Sequence, residues 1–179
     1  LLYIDLDGFK PINDEHGHAA GDYTLKEIAR RLRDGMRESD TCARIGGDEF
    51  AVVLDTAEAG DALRIGQKLC ETIALPIEVP REGREPARVG LGASIGIAVF
   101  PEDTDPQAAA TTLIEALIHA ADEAMYRAKR GGKNRCEMAT GGAGFRSLAP
   151  SLNRRDRTAG GSAIPAGRAR LRAGSGSRS

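Results

Sequence analysis

The sequence predicts an α+β domain of the ferredoxin-like kind, in which helices cover one face of a central, mostly antiparallel β-sheet. Two observations support this fold class. Short apolar runs typical of strands alternate with longer segments of helical apolar spacing, in the order βαββαββα. The chain has 179 residues, of which 41% are hydrophobic, which is enough for the core of one domain of ordinary size.

The first half of the chain begins with an apolar run at residues 1–4, which suits a buried strand that ends at Asp5. Apolar residues at helical spacing then predict an amphipathic helix over about residues 20–37. Two β-type runs follow, at residues 41–45 and 50–54. Adjacent glycines lie between them and can supply the positive φ angles of a tight turn, so these two runs are predicted to form a β-hairpin.

The second half repeats this alternation. A helix is predicted over about residues 61–75, because apolar residues recur there at helical spacing, and Pro76 limits it. Residues 77–80 and 89–99 are interpreted as a strand pair around a charged loop at 81–88.

The last predicted helix spans about residues 107–130 and is ended by Gly131 and Gly132. A terminal strand is predicted near residues 135–138. Residues 139–179 are rich in Arg, Gly, Ser and Ala without apolar periodicity, which predicts a disordered tail. The domain is therefore expected to comprise residues 1–138.

The net charge of −1 conceals an asymmetry. Residues 1–138 hold 17 Lys and Arg against 25 Asp and Glu, a balance of −8, whereas residues 139–179 hold eight Arg and one Asp, a balance of +7. An acidic domain is a poor nucleic-acid binder, and 4% aromatic residues with no Trp argue against base stacking. We therefore expect no specific nucleic-acid partner, and a phosphate ligand would require a metal ion.

Location is predicted from three features. No apolar run reaches the roughly 18 residues of a membrane-spanning helix, and Leu1 and Leu2 lead into charge rather than into a signal peptide. Three cysteines, Cys42, Cys70 and Cys136, lack Cys-x-x-Cys spacing, which favours a reducing compartment over a disulfide framework or a zinc site. The expected location is cytoplasmic. The absence of an initiator Met predicts a fragment whose parent has an upstream region, either regulatory or membrane-anchoring.

Two pairs of charged residues are candidates for chemistry. Asp5 ends the first strand and Asp48 lies in the hairpin turn, so both carboxylates project at one edge if those strands are neighbours. Such a pair suits Mg²⁺, which completes its shell with water and substrate phosphates, although each residue alone is also common in turns and caps. Lys129 and Lys133 flank a helix end and could bind one anion, or simply complement the helix dipole.

Three separated motifs carry a resemblance to a known family. They are Asp5-x-Asp7-x-Phe9-Lys10-x-x-Asn13-Asp14-x-x-Gly17-His18-x-x-Gly21-Asp22, then Arg44-x-Gly46-Gly47-Asp48-Glu49-Phe50, then Tyr126-x-Ala128-Lys129-x-x-Gly132-Lys133-Asn134. Over residues 1–138 the chain resembles the GGDEF domain of diguanylate cyclases. The resemblance implies a palm-type nucleotidyl cyclase fold and the condensation of two GTP into cyclic di-GMP, with release of two pyrophosphates by a homodimer.

The resemblance also assigns metal and catalytic roles. It implies that Asp5, Asp48 and the main-chain carbonyl of Leu6 bind Mg²⁺, with Mn²⁺ as a substitute. Asp48 is then the expected base for the ribose 3′-hydroxyl, and Glu49 a supporting acid. Gly46 and Gly47 are expected to let the backbone approach the nucleotide.

Nucleotide recognition is implied in the same way. Asn13 and Asp22 would bind guanine, because a carboxylate accepts hydrogen bonds from its N1–H and exocyclic amine, whereas adenine would leave that carboxylate unpaired. Lys129 and Lys133 would hold the β- and γ-phosphates. Arg37 and Asp40 match the family's Arg-x-x-Asp site for inhibition by the product, although an Arg at a helix end beside a cap has the same pattern.

The chain departs from the family pattern at two points. Lys133 stands where Arg is more typical, which keeps the charge but loses bidentate geometry. The family segment that precedes the first strand is absent, so the domain is expected to be N-terminally truncated. The alternative to an enzyme is a non-catalytic regulatory module that binds GTP or cyclic di-GMP. The intact signature at Gly46–Phe50 favours the enzyme.

Overall fold

The computed structural model of the protein describes residues 1–55, 58–100 and 110–140. Its strands are β1 (Leu2–Asp7), β2 (Thr41–Gly46), β3 (Glu49–Val53), β4 (Ile77–Arg81), β5 (Arg84–Val89), β6 (Gly92–Ile97) and β7 (Arg135–Met138). Its helices are α1 (Phe9–His16), α2 (His18–Asp34), α3 (Ala59–Ile73) and α4 (Ala110–Arg130). The predicted α+β class is confirmed.

The main sheet has five strands in the order β2-β3-β1-β6-β7. All neighbouring pairs are antiparallel except β6 and β7, which are parallel. Strand β1 is central, and its residue Asp5 lies opposite Glu49 on β3 and Ser94 on β6. The carboxyl end of β1 therefore meets the β2–β3 turn at one edge of the sheet.

Helices pack on both faces of this sheet, so the prediction that they cover one face is wrong. Alternate side chains of β1 (Leu2, Ile4 and Leu6) are buried in the large core with residues of α2 and α3. Helix α4 packs on the opposite face, where a Cβ atom added to Gly96 would collide with the α4 backbone. Glycine on the strand and alanines on the helix permit this close approach, which positions the end of α4 beside the end of β1.

The predicted charged loop at 81–88 is also wrong. Residues Arg84–Val89 form β5, which pairs with β4 in a separate two-stranded ribbon, and only β6 from the predicted run at 89–99 joins the main sheet. Charged residues on the exposed face of β5 hide the alternation, in which only Ala87 and Val89 are buried. The two strands pair through main-chain hydrogen bonds, which the amino-acid composition of the segment does not reveal.

Helix α1 was not predicted, because its eight residues are mostly polar and only Ile12 is buried. The predicted helix at 20–37 is α2, which begins after Gly17 with φ at 82°. The hairpin, α3 and the terminal strand β7 agree with the sequence apart from their ends. The start predicted for the last helix, at 107, and the tail from 141 onward lie outside the described residues.

Two observations on the described residues bear on the expected location and on the cysteines. In the ranges that the structure describes, no helix has the length and apolar character that crossing a bilayer requires. Cys42, Cys70 and Cys136 are free thiols. Cys70 is buried, and burial of the Cys42 thiol raises its pKa.

Candidate functional site

An ion pair forms the centre of the candidate site. The Nζ atom of Lys129, near the end of α4, lies 2.8 Å from Oδ2 of Asp5, and the Asp5 side chain is only 14% exposed. The main-chain N–H of Leu6 donates a 3.1 Å hydrogen bond to the carbonyl oxygen of Asp48. This bond fixes the β2–β3 turn against the end of β1. The structure therefore brings Asp5, Asp48 and Lys129 together, and we call these three residues the Asp5 cluster.

The electrostatics of this cluster show an excess of negative charge. Burial raises the pKa of Asp5, as do the charges of Asp48 and Asp7, against the opposing hydrogen bond and charge of Lys129. Burial alone would lower the pKa of Lys129, but the hydrogen bond and charge of Asp5 and the charges of Asp7 and Asp48 raise it. Three carboxylates thus surround one ammonium, which favours a further cation.

The donor set fits a divalent cation of the Mg²⁺ type. Carboxylate oxygens from Asp5 and Asp48 and main-chain oxygens at the same edge are the ligands that this ion prefers, together with water and phosphate. Within the described ranges no group of three or more His, Cys, Asp and Glu side chains is arranged to hold a metal ion. Such a site therefore has to be completed by main-chain, water and substrate oxygens.

The β2–β3 turn presents its backbone outward. Gly47 has φ at 40°, in the left-handed region, and its carbonyl oxygen accepts a 2.9 Å hydrogen bond from Nε of Arg44. A Cβ atom at Gly46 or Gly47 would meet no protein atom within 4 Å. The positive φ accounts for glycine at 47, whereas nothing in the protein itself excludes a side chain at 46.

The segment after α4 has unusual backbone geometry. Gly132, Lys133 and Asn134 have φ at 114°, 62° and 43°. The main-chain N–H of Lys133 donates to the carbonyl oxygen of Ala128 at 3.1 Å, which ends the helix. The Lys133 side chain is exposed and makes no ion pair with a described residue. Lys129 is therefore part of the Asp5 cluster, and Lys133 lies beside it in the loop.

Asp7 is a polar residue of the site that the sequence reasoning did not assign a role. Its Oδ1 and Oδ2 atoms accept the hydroxyl of the fully buried Ser94 at 3.0 and 2.9 Å, and its Oδ2 also accepts the N–H of Asn134 at 3.0 Å. A signal was available, because Asp5 and Asp7 are two residues apart on one strand and share a face. Ser94 gave no signal of its own.

The residues predicted to bind guanine lie on α1 and α2. Asn13 packs against Gly21 so closely that a Cβ atom there would collide with the Asn13 amide. Asp22 is exposed and lies on a cavity of about 440 Å³ between α2 and the β2–β3 hairpin. The cavity lining also includes residues that sequence reasoning did not single out as ligand contacts: Leu25, Lys26, Ala29, Arg33, Cys42, Arg44 and Phe50.

Arg37 and Asp40 lie in the turn between α2 and β2, apart from the Asp5 cluster. The Asp40 carboxylate accepts the N–H of Arg37 at 2.9 Å and the N–H of Asp55 at 3.2 Å. Arg37 is exposed. Asp40 thus orders the turn, and the Arg37 side chain projects from it.

Sequence comparisons identify relatives over the same region. The family model described as "Diguanylate cyclase, GGDEF domain" matches residues 1–135. The chain is 47% identical over 131 residues to the diguanylate cyclase TpbB of Pseudomonas aeruginosa, covering 73% of this chain and 28% of TpbB. It is 38% identical over 138 residues to the diguanylate cyclase DosC of Escherichia coli, covering 77% of this chain and 28% of DosC. The chain thus spans less than a third of either relative.

Solved structures agree with these relatives. The crystal structure of the GGDEF domain of TpbB from Pseudomonas aeruginosa is similar with a TM-score of 0.66 and 44% identity, covering 78% of this chain and 80% of that one. The coiled coil and GGDEF domain of DgcB from Caulobacter crescentus, in complex with c-di-GMP, has a TM-score of 0.65 and 25% identity, covering 77% and 68%. The resemblance predicted from the three motifs is confirmed, and the chain belongs to the GGDEF domain family of diguanylate cyclases.

Proposed function

We propose that this domain condenses two molecules of GTP into cyclic di-GMP and releases two pyrophosphates. The observation that carries the proposal is the intact turn Gly46–Phe50, which is fixed by the Leu6 to Asp48 hydrogen bond beside Asp5 and Lys129. If the turn had lost its catalytic role, there would be no reason for the excess of carboxylates around Lys129. The relatives named as diguanylate cyclases support the same activity.

The metal ligands in this proposal are Asp5, Asp48 and the carbonyl of Leu6. Bound Mg²⁺, or Mn²⁺ in its place, supplies positive charge that neutralises the triphosphate and the leaving group. Lys129 and Lys133 bind the β- and γ-phosphates. Because the Lys129 ammonium already lies against Asp5, it places its charge where the triphosphate meets the carboxylates.

Asp48 accepts the proton of the ribose 3′-hydroxyl, and Glu49 supports it from the next position in the turn. The 3′-oxygen attacks the α-phosphorus of the partner subunit's GTP, and the bond to the bridging oxygen of the β-phosphate breaks. Pyrophosphate leaves with those bonding electrons. The second subunit performs the same step in reverse orientation, so a homodimer is required and catalysis rests mainly on positioning.

Guanine is selected by Asn13 and Asp22 in this proposal. The exposed Asp22 carboxylate borders the cavity between α2 and the hairpin, where a base can bind beside the apolar Leu25 and Phe50. Gly46 and Gly47 leave the turn backbone open to the nucleotide, since no side chain lies there.

The product is proposed to inhibit the enzyme at Arg37 and Asp40. The two main-chain hydrogen bonds of Asp40 hold the turn, so the exposed Arg37 guanidinium is presented for a phosphate or a guanine edge. Substituting Arg37→Ala is expected to abolish inhibition by added cyclic di-GMP in a GTP turnover assay. Inhibition of unchanged strength in that variant would contradict the proposal.

The activity is tested with the full chain fused to a leucine zipper, which enforces a dimer. The protein is incubated with GTP and Mg²⁺, and nucleotides are separated by chromatography. Wild type and Asp61→Ala, an exposed α3 carboxylate that pairs with Arg64, are expected to form cyclic di-GMP, whereas Asp48→Ala is not. Product formation by Asp48→Ala would remove Asp48 from the mechanism. A dimeric wild type that binds GTP without product would favour the non-catalytic module.

A further inference from the structure

We infer that Asp7 is a positioning residue for triphosphate binding, which holds the loop carrying Lys133 at a fixed place beside Asp5. The inference rests on the proposed function, because it assumes that Lys133 binds a phosphate. Asp7 itself is not assigned to metal, base or phosphate.

The Asp7 carboxylate is held rigidly by the sheet. Strand β1 is paired on both sides at Asp5, and Asp7 lies opposite Gly92 of β6. The hydroxyl of Ser94, fully buried on β6, has one proton, which the two carboxylate oxygens of Asp7 share at 3.0 and 2.9 Å. Asp7 is therefore oriented before it contacts the loop.

The loop contact is the 3.0 Å hydrogen bond that the N–H of Asn134 donates to Oδ2 of Asp7. A carboxylate acceptor makes this bond charge-assisted and therefore strong. The Asn134 side chain also packs on Gly92, where a Cβ atom would lie 3.0 Å from it. The end of β1 and the start of β7 are thus tied together.

The backbone conformation shows why such a tie is needed. In the described part of the chain, Lys133 and Asn134 are the non-glycine residues with positive φ. This conformation is unfavourable for L-residues and persists only where the surroundings impose it. Two bonds hold the loop to α4, from the Gly131 N–H to Arg127 and from the Lys133 N–H to Ala128, and the pairing of β7 with β6 starts at Arg135. Between these points, the bond to Asp7 holds Asn134 to the end of β1. Without Asp7 this segment loses that contact, and the backbone that carries the exposed Lys133 side chain is free to relax.

The test measures nucleotide affinity by isothermal titration calorimetry on the full chain with Mg²⁺. The probes are 3′-deoxy-GTP, which cannot condense, and GMP, which has no β- or γ-phosphate. Asp7→Ala is expected to lower the affinity for 3′-deoxy-GTP by about tenfold and the affinity for GMP by less than about twofold. Asp7→Asn retains an acceptor oxygen for the Asn134 N–H but not its charge, and it is expected to lose less 3′-deoxy-GTP affinity than Asp7→Ala. Equal weakening of both probes would overturn the inference.

A double-mutant comparison separates positioning from general damage. If Asp7 acts through Lys133, then Asp7→Ala adds less than about twofold in a Lys133→Ala background. Independent, multiplicative losses would contradict the inference. If Asp7→Ala does not fold, Ser94→Ala serves instead, because it removes the other anchor of the carboxylate, and it must show the same selective loss.

Failure of the proposed function has a different signature. A wild type that binds neither probe would overturn both the proposed function and the inference. If wild type binds 3′-deoxy-GTP but Asp7→Ala lowers the affinity for both probes equally, only the role of Asp7 is overturned.

Discussion

In two regions of the molecule a basic side chain from one element contacts acceptor groups of another element. The two regions differ in how fully the charge of that side chain is matched. In the site, Lys129 has one close partner, Asp5, with two more carboxylates near it. Between α2 and α3, the guanidinium of Arg31 makes a 2.9 Å bond from Nε to Glu27 and further bonds to main-chain carbonyls. Those carbonyls belong to Thr72, Ile73, Leu75 and Pro76, at 3.1, 3.2, 2.5 and 2.8 Å.

The difference separates a contact that stabilises the fold from one in the proposed site. Helix α3 has no basic residue in its last turn, so its terminal carbonyls lack a cation of their own, and Arg31 from α2 supplies one. Its side chain is 10% exposed, with each polar nitrogen bonded to a fixed acceptor. The Asp5 cluster is left with surplus negative charge. The first arrangement stabilises the fold, and the second suits the binding of metal and phosphate.

The largest expected effect breaks the site and spares the fold. Asp5→Asn is expected to lower cyclic di-GMP formation by about 100-fold or more, because a proposed metal ligand loses its charge. Stability is expected not to fall. Burial raises the pKa of Asp5 above 3.8 against the hydrogen bond and charge of Lys129, so the ionised carboxylate is a net cost to folding once the pH rises through the folded pKa, and removing this cost offsets the loss of its support for the raised pKa of Lys129. GTP turnover and a thermal melt at neutral pH measure the two effects.

A drop in melting temperature together with intact turnover would reverse the distinction. Asp61→Asn is the matched control, since Asp61 pairs only with the exposed Arg64 on the same helix among the described residues. It is expected to leave both turnover and the melt unchanged.

The second effect breaks the structural contact and spares the chemistry. Arg31→Ala leaves four main-chain carbonyls without this donor and removes one of the two arginine partners of Glu27, so it is expected to lower the unfolding free energy by about 2 to 4 kcal/mol. Urea denaturation measures this loss, and turnover of the remaining folded protein is expected to stay near wild type. Arg30→Ala is the matched control, because Arg30 contacts Glu27 and Asp34 at the exposed surface. A loss in the control as large as in Arg31→Ala would contradict the comparison.

The sequence predicts these two regions unequally, for a physical reason. Strand β1, the hairpin and the end of α4 carry local signals, so apolar runs, paired glycines and helix spacing assign Asp5, Asp48 and Lys129 to these elements. The packing of α4 that brings Lys129 to Asp5 carries no such local signal. The bonds from Arg31 join residues more than 40 positions apart to main-chain carbonyls. Main-chain acceptors have no side-chain identity to read. The β4–β5 ribbon and the Asp7 to Asn134 bond were missed for the same reason.

A third expected effect is tighter GTP binding when Arg, the residue more typical of the family, replaces Lys133. Lys133→Arg replaces a point charge with a planar fork that can bind phosphate in bidentate fashion, so the KM for GTP is expected to fall by about two- to fivefold. The positive φ of residue 133 is equally unfavourable for both side chains, so the melting temperature should not change. Steady-state kinetics over a GTP series check this. A higher KM would show that the loop geometry suits an ammonium and not a guanidinium.

The smallest effect concerns how Arg31 is oriented. Hydrogen bonds from Arg30 and then Arg31, with their charges, lower the pKa of Glu27 from 4.5 to about 2 although its burial opposes them. A depressed carboxyl pKa contributes stability above 4.5, and that contribution is lost as the pH falls through about 2. Glu27→Gln is therefore expected to have a slightly lower urea midpoint than wild type at neutral pH.

This difference should shrink as the pH falls through that window, and added salt should reduce it, since the pair lies near solvent. Glu71→Gln, at an exposed position on α3, is the control and is expected to show no such pH dependence. A Glu27→Gln deficit that stays constant with pH would mean that the side chain acts by packing. A deficit that disappears in acid would show that Glu27 stabilises the fold through its charge, which acts on Arg30 and on the Arg31 guanidinium that lies against the carbonyls.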